Sequence, residues 1–120
     1  MSSITKETFK AGDYIFFEGD IESHFYIIES GAVKIFTKNA TGQKVEIAKF
    51  GPGDTLGEFA LIDSGARTAS AQADVDTKVM KISEEGYQIM MSDLPLWASS
   101  MLRSFITRMK SMNQQLKAKK

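Results

Sequence analysis

The residues with the clearest chemical content lie in one stretch, Gly51-Pro-Gly-Asp-Thr-Leu-Gly-Glu-Phe-Ala-Leu-Ile-Asp-Ser-Gly-Ala-Arg-Thr-Ala-Ser-Ala71. Arg67 offers a planar fork of donors that matches a phosphate. Gly57 to Ile62 could form a single helical turn, whose free backbone N–H groups favour an anion. The small residues Thr68, Ala69, Ser70 and Ala71 let a flat ligand approach the backbone closely. Glu58 is out of place beside a phosphate unless it has a partner of its own, and a ribose hydroxyl, which donates to a carboxylate, is a suitable one. Phosphate, ribose and an apolar pocket for a base together make a nucleotide. Taken singly, Arg67 reads as a surface arginine and Glu58 as a helix-start acid. Their joint spacing, with the glycines, argues for a site.

The order Gly57-Glu58-Phe59-Ala60-Leu61, then Ile62 to Ala66, then Arg67-Thr68-Ala69, resembles the phosphate-binding cassette of the cyclic-nucleotide-binding domain family. The likeness extends to Phe50-Gly51-Pro52-Gly53-Asp54, to Ser30-Gly31 and to the opening from Gly12-Asp13 to Gly19-Asp20, so it covers essentially the whole chain. The resemblance implies that Arg67 pairs with the exocyclic phosphate oxygens. It implies that Glu58 and the Gly57 backbone hold the ribose 2′-hydroxyl, and that the N–H of Ala60 helps to cap the phosphate. Phe59 and Ala69 complete the cassette. Thr68 stands where some members touch a guanine or the phosphate, and it reads equally as an ordinary strand residue. Ala66 departs from the proline that many members carry before the arginine, which loosens the loop and removes no ligand contact.

These residues need elements to hold them. From Phe9 to Ile82 short apolar segments alternate with Gly12-Asp13, Gly19-Asp20, Gly31, Asn39 to Gly42 and Gly51-Pro52-Gly53-Asp54, a spacing typical of an all-β sandwich or barrel. Tyr14 to Phe17, Phe25 to Ile28, Val33 to Thr37, Val45 to Phe50 and Asp74 to Ile82 are rich in the β-branched and aromatic residues that suit strands. Ser83 followed by Glu84-Glu85 predicts a capped short helix through Met91. Pro95 can open a second, along which Trp97, Met101, Leu102, Phe105, Ile106, Met109, Met112 and Leu116 recur at steps of three and four. The expected fold is mostly β with C-terminal helices: an eight-stranded jelly-roll-like barrel (a double-stranded β-helix), a short cassette helix and two C-terminal α-helices. One domain over 1–120 is expected, the barrel at 9–82 and the helices at 83–120.

Val45, Ile47 and Leu56 read first as core residues and second as walls of a base pocket. Met109 and Met112, on the last helix, could pack on the barrel, pair with a second copy, or cover the base as a lid. The run 102, 105, 109, 112, 116 allows a two-helix coiled coil.

Composition narrows the classes. Lys and Arg total 15, as do Asp and Glu, and this balance argues against a chain built mainly to hold nucleic acid or an anionic membrane. There is no cysteine and one histidine, His24, so disulfides, thiolate metal sites and cysteine nucleophiles are excluded and a transition-metal site is not expected. No nucleophile–base pair or catalytic carboxylate pair stands out, and no enzyme activity or cofactor is expected. The N-terminus lacks a signal-peptide stretch and no apolar run is long enough to span a bilayer, which fits a cytoplasmic protein. Two helices account for residues 83–120, so no helix-turn-helix DNA-binding unit is expected. The resemblance implies a sensor for cAMP, or for cGMP, that signals to an effector protein by moving its last helix, with a homodimer through that helix as an option. The alternative is a non-binding barrel serving as a protein-interaction or dimerisation module.

Overall fold

The computed structural model describes residues 3–58 and 66–118, with side chains as far as residue 112. In chain order the elements are β1 (Ile4–Phe9), β2 (Tyr14–Phe16), β3 (Phe25–Ser30), β4 (Val33–Lys38), β5 (Lys44–Phe50), β6 (Thr55–Leu56), β7 (Ser70–Ala73), β8 (Thr77–Ile82), α1 (Glu84–Ser92) and α2 (Leu96–Ala118).

Among the described residues the strands form two four-stranded antiparallel sheets, ordered β1-β8-β3-β6 and β2-β7-β4-β5. They do not close into the expected barrel. Each ladder of paired strands stays within its own sheet, and both sheets keep two edge strands. The core sits between them: Tyr26, Ile28, Leu56 and Val79 come from one sheet, Ile15, Phe16, Val33 and Ala71 from the other. Burying these apolar faces drives the two layers together.

Two strand boundaries depart from the sequence reading. The sheet begins at Ile4, because Ile4–Phe9 pairs in register with Thr77–Ile82 even though its sequence is dominated by Thr, Lys and Glu. An edge strand with one wet side needs few apolar residues. The expected strand from Asp74 to Ile82 begins later, at Thr77, because a bend over 74–76 carries the chain from β7 in one sheet to β8 in the other. Gly31 makes the neighbouring turn possible. Its φ of 101° is open only to glycine at low cost, and a Cβ there would run into Thr77 Oγ1 and the Asp76 carbonyl. The Thr77 hydroxyl donates to the carbonyl of Val75 at 2.7 Å, which ties down the crossing between the two sheets.

The helices follow the sequence signals. Ser83 caps α1 as its hydroxyl accepts from the Gly86 N–H at 3.0 Å, and Glu84 and Glu85 occupy the first turn. The Ser83 hydroxyl also donates to the Ser3 carbonyl at 3.1 Å, which fixes α1 to the start of β1. α2 begins just after Pro95 and runs for 23 residues with most of its apolar side chains exposed.

Candidate functional site

Arg67 is placed by its backbone before its side chain is considered. Its N–H donates to the Asp20 carbonyl at 2.7 Å, and its carbonyl accepts from the Gly19 N–H at 2.8 Å. The Gly19-Asp20 turn, which the sequence marked as a break between strands and as part of the resemblance, therefore clamps the segment leading into β7. Beside it, Ile21 and Ala66 form an isolated bridge.

The guanidinium is 7% exposed and lies over the ring of Phe16, with Cζ 4.4 Å from the centroid. Nη1 donates to the Gly57 carbonyl at 3.1 Å and Nη2 to the His24 carbonyl at 2.6 Å. Glu22 supplies the nearest carboxylate among the described residues, with Oε2 3.9 Å from Nη2. Nε is buried without a hydrogen-bond partner among the described residues. Arginine carries five N–H donors, so this one is oriented by two carbonyls and a ring while keeping donors for an anion. Gly57 is shaped by the same arrangement: its φ is 72°, and a Cβ would collide with the guanidinium.

Around Arg67 lies a cavity of about 250 Å³, lined mainly by apolar atoms, close to the lower end of the range for small-molecule sites. Its walls come from both sheets. Among the described residues, Phe16 comes from β2; Ile35, Ile47, Ala48 and Phe50 come from β4 and β5; Thr55, Leu56, Gly57 and Glu58 come from β6 and the residues after it; and Ala66 to Ala69 come from the segment before β7. β5 carries a bulge. Ala48 pairs with Ile35 and Glu46 with Phe36, so Ile47 is the extra residue between them, and it lines the cavity.

Of the residues singled out from sequence, Gly57, Glu58, Arg67, Thr68, Ala69, Ile47 and Leu56 all line this one cavity. Leu56 is also core, 2% exposed, whereas Ile47 is 57% exposed and is not the core residue expected. Val45 is an exposed β5 residue outside the lining, and it too is not core. Met109 and Met112 lie exposed on α2 and are not among the cavity's lining residues, so neither of them covers it in this structure. Phe59 and Ala60, with the expected turn over 57–62 for the most part, fall outside the described residues. Sequence reasoning missed Phe16, Glu22 and the His24 carbonyl. They reach Arg67 from strands and loops some forty or more positions away, and no local motif marks them.

Burial pushes the phenol of Tyr26 up from 10.0 to about 12, and the negative charge of Glu22 adds to the effect. The buried phenol therefore keeps its proton to a higher pH than an exposed tyrosine would.

The sequence pattern of the cyclic nucleotide-binding domain matches residues 6–93, from β1 to the end of α1. The chain belongs to this family. It is 32% identical to the Cyclic AMP receptor protein of Thermus thermophilus over 97% of its own length and 54% of that protein's. It is 36% identical to the cAMP-dependent protein kinase regulatory subunit of Emericella nidulans over 69% of this chain and 19% of that subunit. Among solved structures, the EAL enzyme Bd1971 in a half-site-occupied form superposes with a TM-score of 0.83 at 27% identity, covering 91% of this chain and 97% of the other. The same enzyme is also similar in its cAMP-bound form (TM-score 0.68) and its cGMP-bound form (0.69). The chain spans about half the length of the receptor protein, and less of the kinase subunit.

Proposed function

We propose that this domain is a regulatory sensor of a cyclic nucleoside monophosphate, with cAMP as its first ligand and cGMP as a second. It binds rather than transforms the ligand, and its place is the cytoplasm. The observation that carries this reading is Arg67, buried and oriented by the Gly57 and His24 carbonyls, with Nε unpartnered among the described residues, on an apolar cavity that Glu58 also lines.

In this reading Arg67 takes the exocyclic phosphate oxygens, and its Nε–H and spare Nη hydrogens supply the charge-assisted bonds. Glu58 accepts the ribose 2′-hydroxyl. Gly57 lets the backbone approach the sugar, and Ala69 keeps the segment before β7 narrow. The base lies against Ile47 and Leu56, with Thr68 available to a guanine edge or a phosphate oxygen. Ligand binding then shifts α2 between two positions, one of which closes over the base through Met109 and Met112.

Calorimetric titration with cAMP and with cGMP tests the reading directly. Micromolar binding to either supports it, and the ratio of the two affinities reports on Thr68. Absence of heat with both, on folded protein freed of co-purified ligand, would assign the domain to protein interaction or dimerisation instead.

A further inference from the structure

β2 breaks the alternation that a strand ordinarily keeps. Tyr14 pairs with Gln72 and Phe16 with Ala71, so two steps along β2 match one along β7, and Ile15 is the extra residue of a bulge. Residues directly opposite one another in a ladder share a face of the sheet. Phe16 is therefore turned inward with Ala71, beside Ile15, and all three belong to the core. Phe17, which unbroken alternation would turn inward, is 52% exposed and stacks on Tyr14 with ring centroids 4.3 Å apart. Bulges beside functional sites re-aim side chains, and here the re-aimed side chain is Phe16.

The ring it brings inward meets Arg67. Nη1 and Nη2 of the guanidinium each donate to one carbonyl, those of Gly57 and His24. Two such bonds leave a planar group free to rock about the line that joins them, and Nε–H swings with it. A ring against the guanidinium removes that freedom. Cζ of Arg67 stands 4.4 Å from the centroid of Phe16, and both side chains are buried. Tyr26, itself buried, lies against the Phe16 ring with centroids 6.0 Å apart, so the ring has little room to yield. The contact is also electrostatic: an aromatic face attracts a cation, most strongly where water is excluded. The rival for this cation is Glu22, whose Oε2 lies 3.9 Å from Nη2, beyond hydrogen-bond length.

We propose that Phe16 is a positioning residue for the anion site: its ring holds the Arg67 guanidinium in the plane that offers Nε–H to a bound phosphate and keeps it from closing on Glu22. The proposal rests on the nucleotide reading, since Phe16 acts on the ligand through Arg67. A residue that only filled space here would be served as well by an aliphatic side chain. The ring is required only if its face is used.

The test titrates cAMP into the full chain with position 16 varied. Phenylalanine carrying one, two or three ring fluorines at this position keeps nearly the native size while drawing electron density from the ring face. Affinity should fall with each fluorine, by on the order of tenfold at three, as the desolvated cation–π contact is weakened. Thermal unfolding of each protein verifies that it is folded. Phe16→Leu should lose at least as much affinity. Adding Glu22→Gln to Phe16→Leu should raise affinity by about threefold more than adding it to the parent, because the unheld guanidinium then has no carboxylate to close on. A packing defect alone would not be corrected by removing a charge. A flat fluorine series in a parent that binds cAMP overturns the proposal and leaves the nucleotide reading standing, as does an effect of Glu22→Gln that is the same in both backgrounds. A parent that binds neither cAMP nor cGMP overturns both.

Discussion

Nη2 of Arg67 donates to the carbonyl of His24 at 2.6 Å and, on the same side, stands 3.9 Å from Oε2 of Glu22. The guanidinium is thus served by a carbonyl that fixes its direction and by a carboxylate that offsets part of its charge. A buried cation needs such compensation, because desolvation of an isolated charge is costly. The same carboxylate opposes an incoming phosphate, so Glu22 stabilises the ligand-free protein and competes with the ligand for one group.

Replacing Glu22 separates these effects. Glu22→Gln should destabilise the ligand-free protein by about 1 kcal/mol, a modest figure because the carboxylate is 26% exposed and 3.9 Å from its partner. It should also tighten binding of cAMP, since the phosphate no longer contends with a negative charge. Thermal unfolding with and without saturating cAMP checks both: the variant should melt below the parent without ligand and approach or pass it with ligand. A variant that loses stability and affinity together would show Glu22 to be only a support for Arg67.

Arg67 itself should be irreplaceable for binding. Arg67→Ala should cost about 2–5 kcal/mol of affinity, because a buried phosphate loses its charge partner. Arg67→Lys should recover little of that loss, since an ammonium cannot serve the Gly57 and His24 carbonyls and a phosphate as the fork does. Titration of both variants with cAMP makes the comparison, and near-parental affinity in Arg67→Lys would reduce the site to a point charge.

Glu58→Ala should weaken cAMP less than Arg67→Ala does, by about 1.5–3 kcal/mol for one hydrogen bond to a charged group. The sharper readout is the 2′-deoxy ligand. It should bind the parent more weakly than cAMP and bind Glu58→Ala as tightly as cAMP does. A persistent preference for the ribose form in Glu58→Ala would place the 2′-hydroxyl on another group.

The sequence revealed the candidate site better than the structure that supports it, for a physical reason. Glu58 and Arg67 sit close in sequence, with Gly57 beside them, and all three line one cavity. Ser83 and Pro95 marked both helix starts because capping is local. Phe16, Glu22 and His24 are brought to Arg67 by pairing across the sheets, which leaves no periodic trace. Ile47 misled because strict alternation made it a core residue, whereas the β5 bulge places it, half exposed, at the cavity wall. β1 was missed from Ile4 to Thr8 because an edge strand can be mostly polar. The barrel was expected from strand count and turn spacing, neither of which says whether two sheets close.

Gly57 and Gly31 provide a paired test of site against scaffold. Gly57→Ala forces a side chain into a φ of 72° and drives a methyl into the Arg67 guanidinium, so it should lose cAMP affinity at least tenfold and destabilise the fold by about 1 kcal/mol. Gly31→Ala, at φ 101°, meets backbone and Thr77 instead. It should cost more stability, about 2–3 kcal/mol, and leave the affinity of the remaining folded protein unchanged. Denaturant unfolding and titration of both variants decide the matter; a loss of affinity in Gly31→Ala would tie the β3–β4 turn to the site.

Stability against pH should bend at both ends for different reasons. A hydrogen bond from Lys49 holds the Asp74 carboxyl below its ordinary 3.8, with Lys34 adding to it, and the same bond raises Lys49 above 10.5. An acid whose pKa is lowered by folding contributes stability above its unfolded value and loses it as pH falls through the folded one. The Asp74 contribution should therefore fade below pH 3.8, by a small and salt-sensitive amount since the groups are exposed. Tyr26 works in the opposite direction. Its folded pKa is raised from 10.0 to about 12, so its contribution is complete below pH 10 and is lost as pH rises through about 12. Tyr26→Phe should flatten the alkaline limb of a melting-temperature profile between those values and leave the acid limb untouched, while Asp74→Asn should flatten the acid limb and, because Lys49 loses the partner that raises it, remove a small part of the alkaline one as well. An alkaline limb equally steep in Tyr26→Phe would mean that the phenol titrates freely, and that burial beside Glu22 does not hold it neutral.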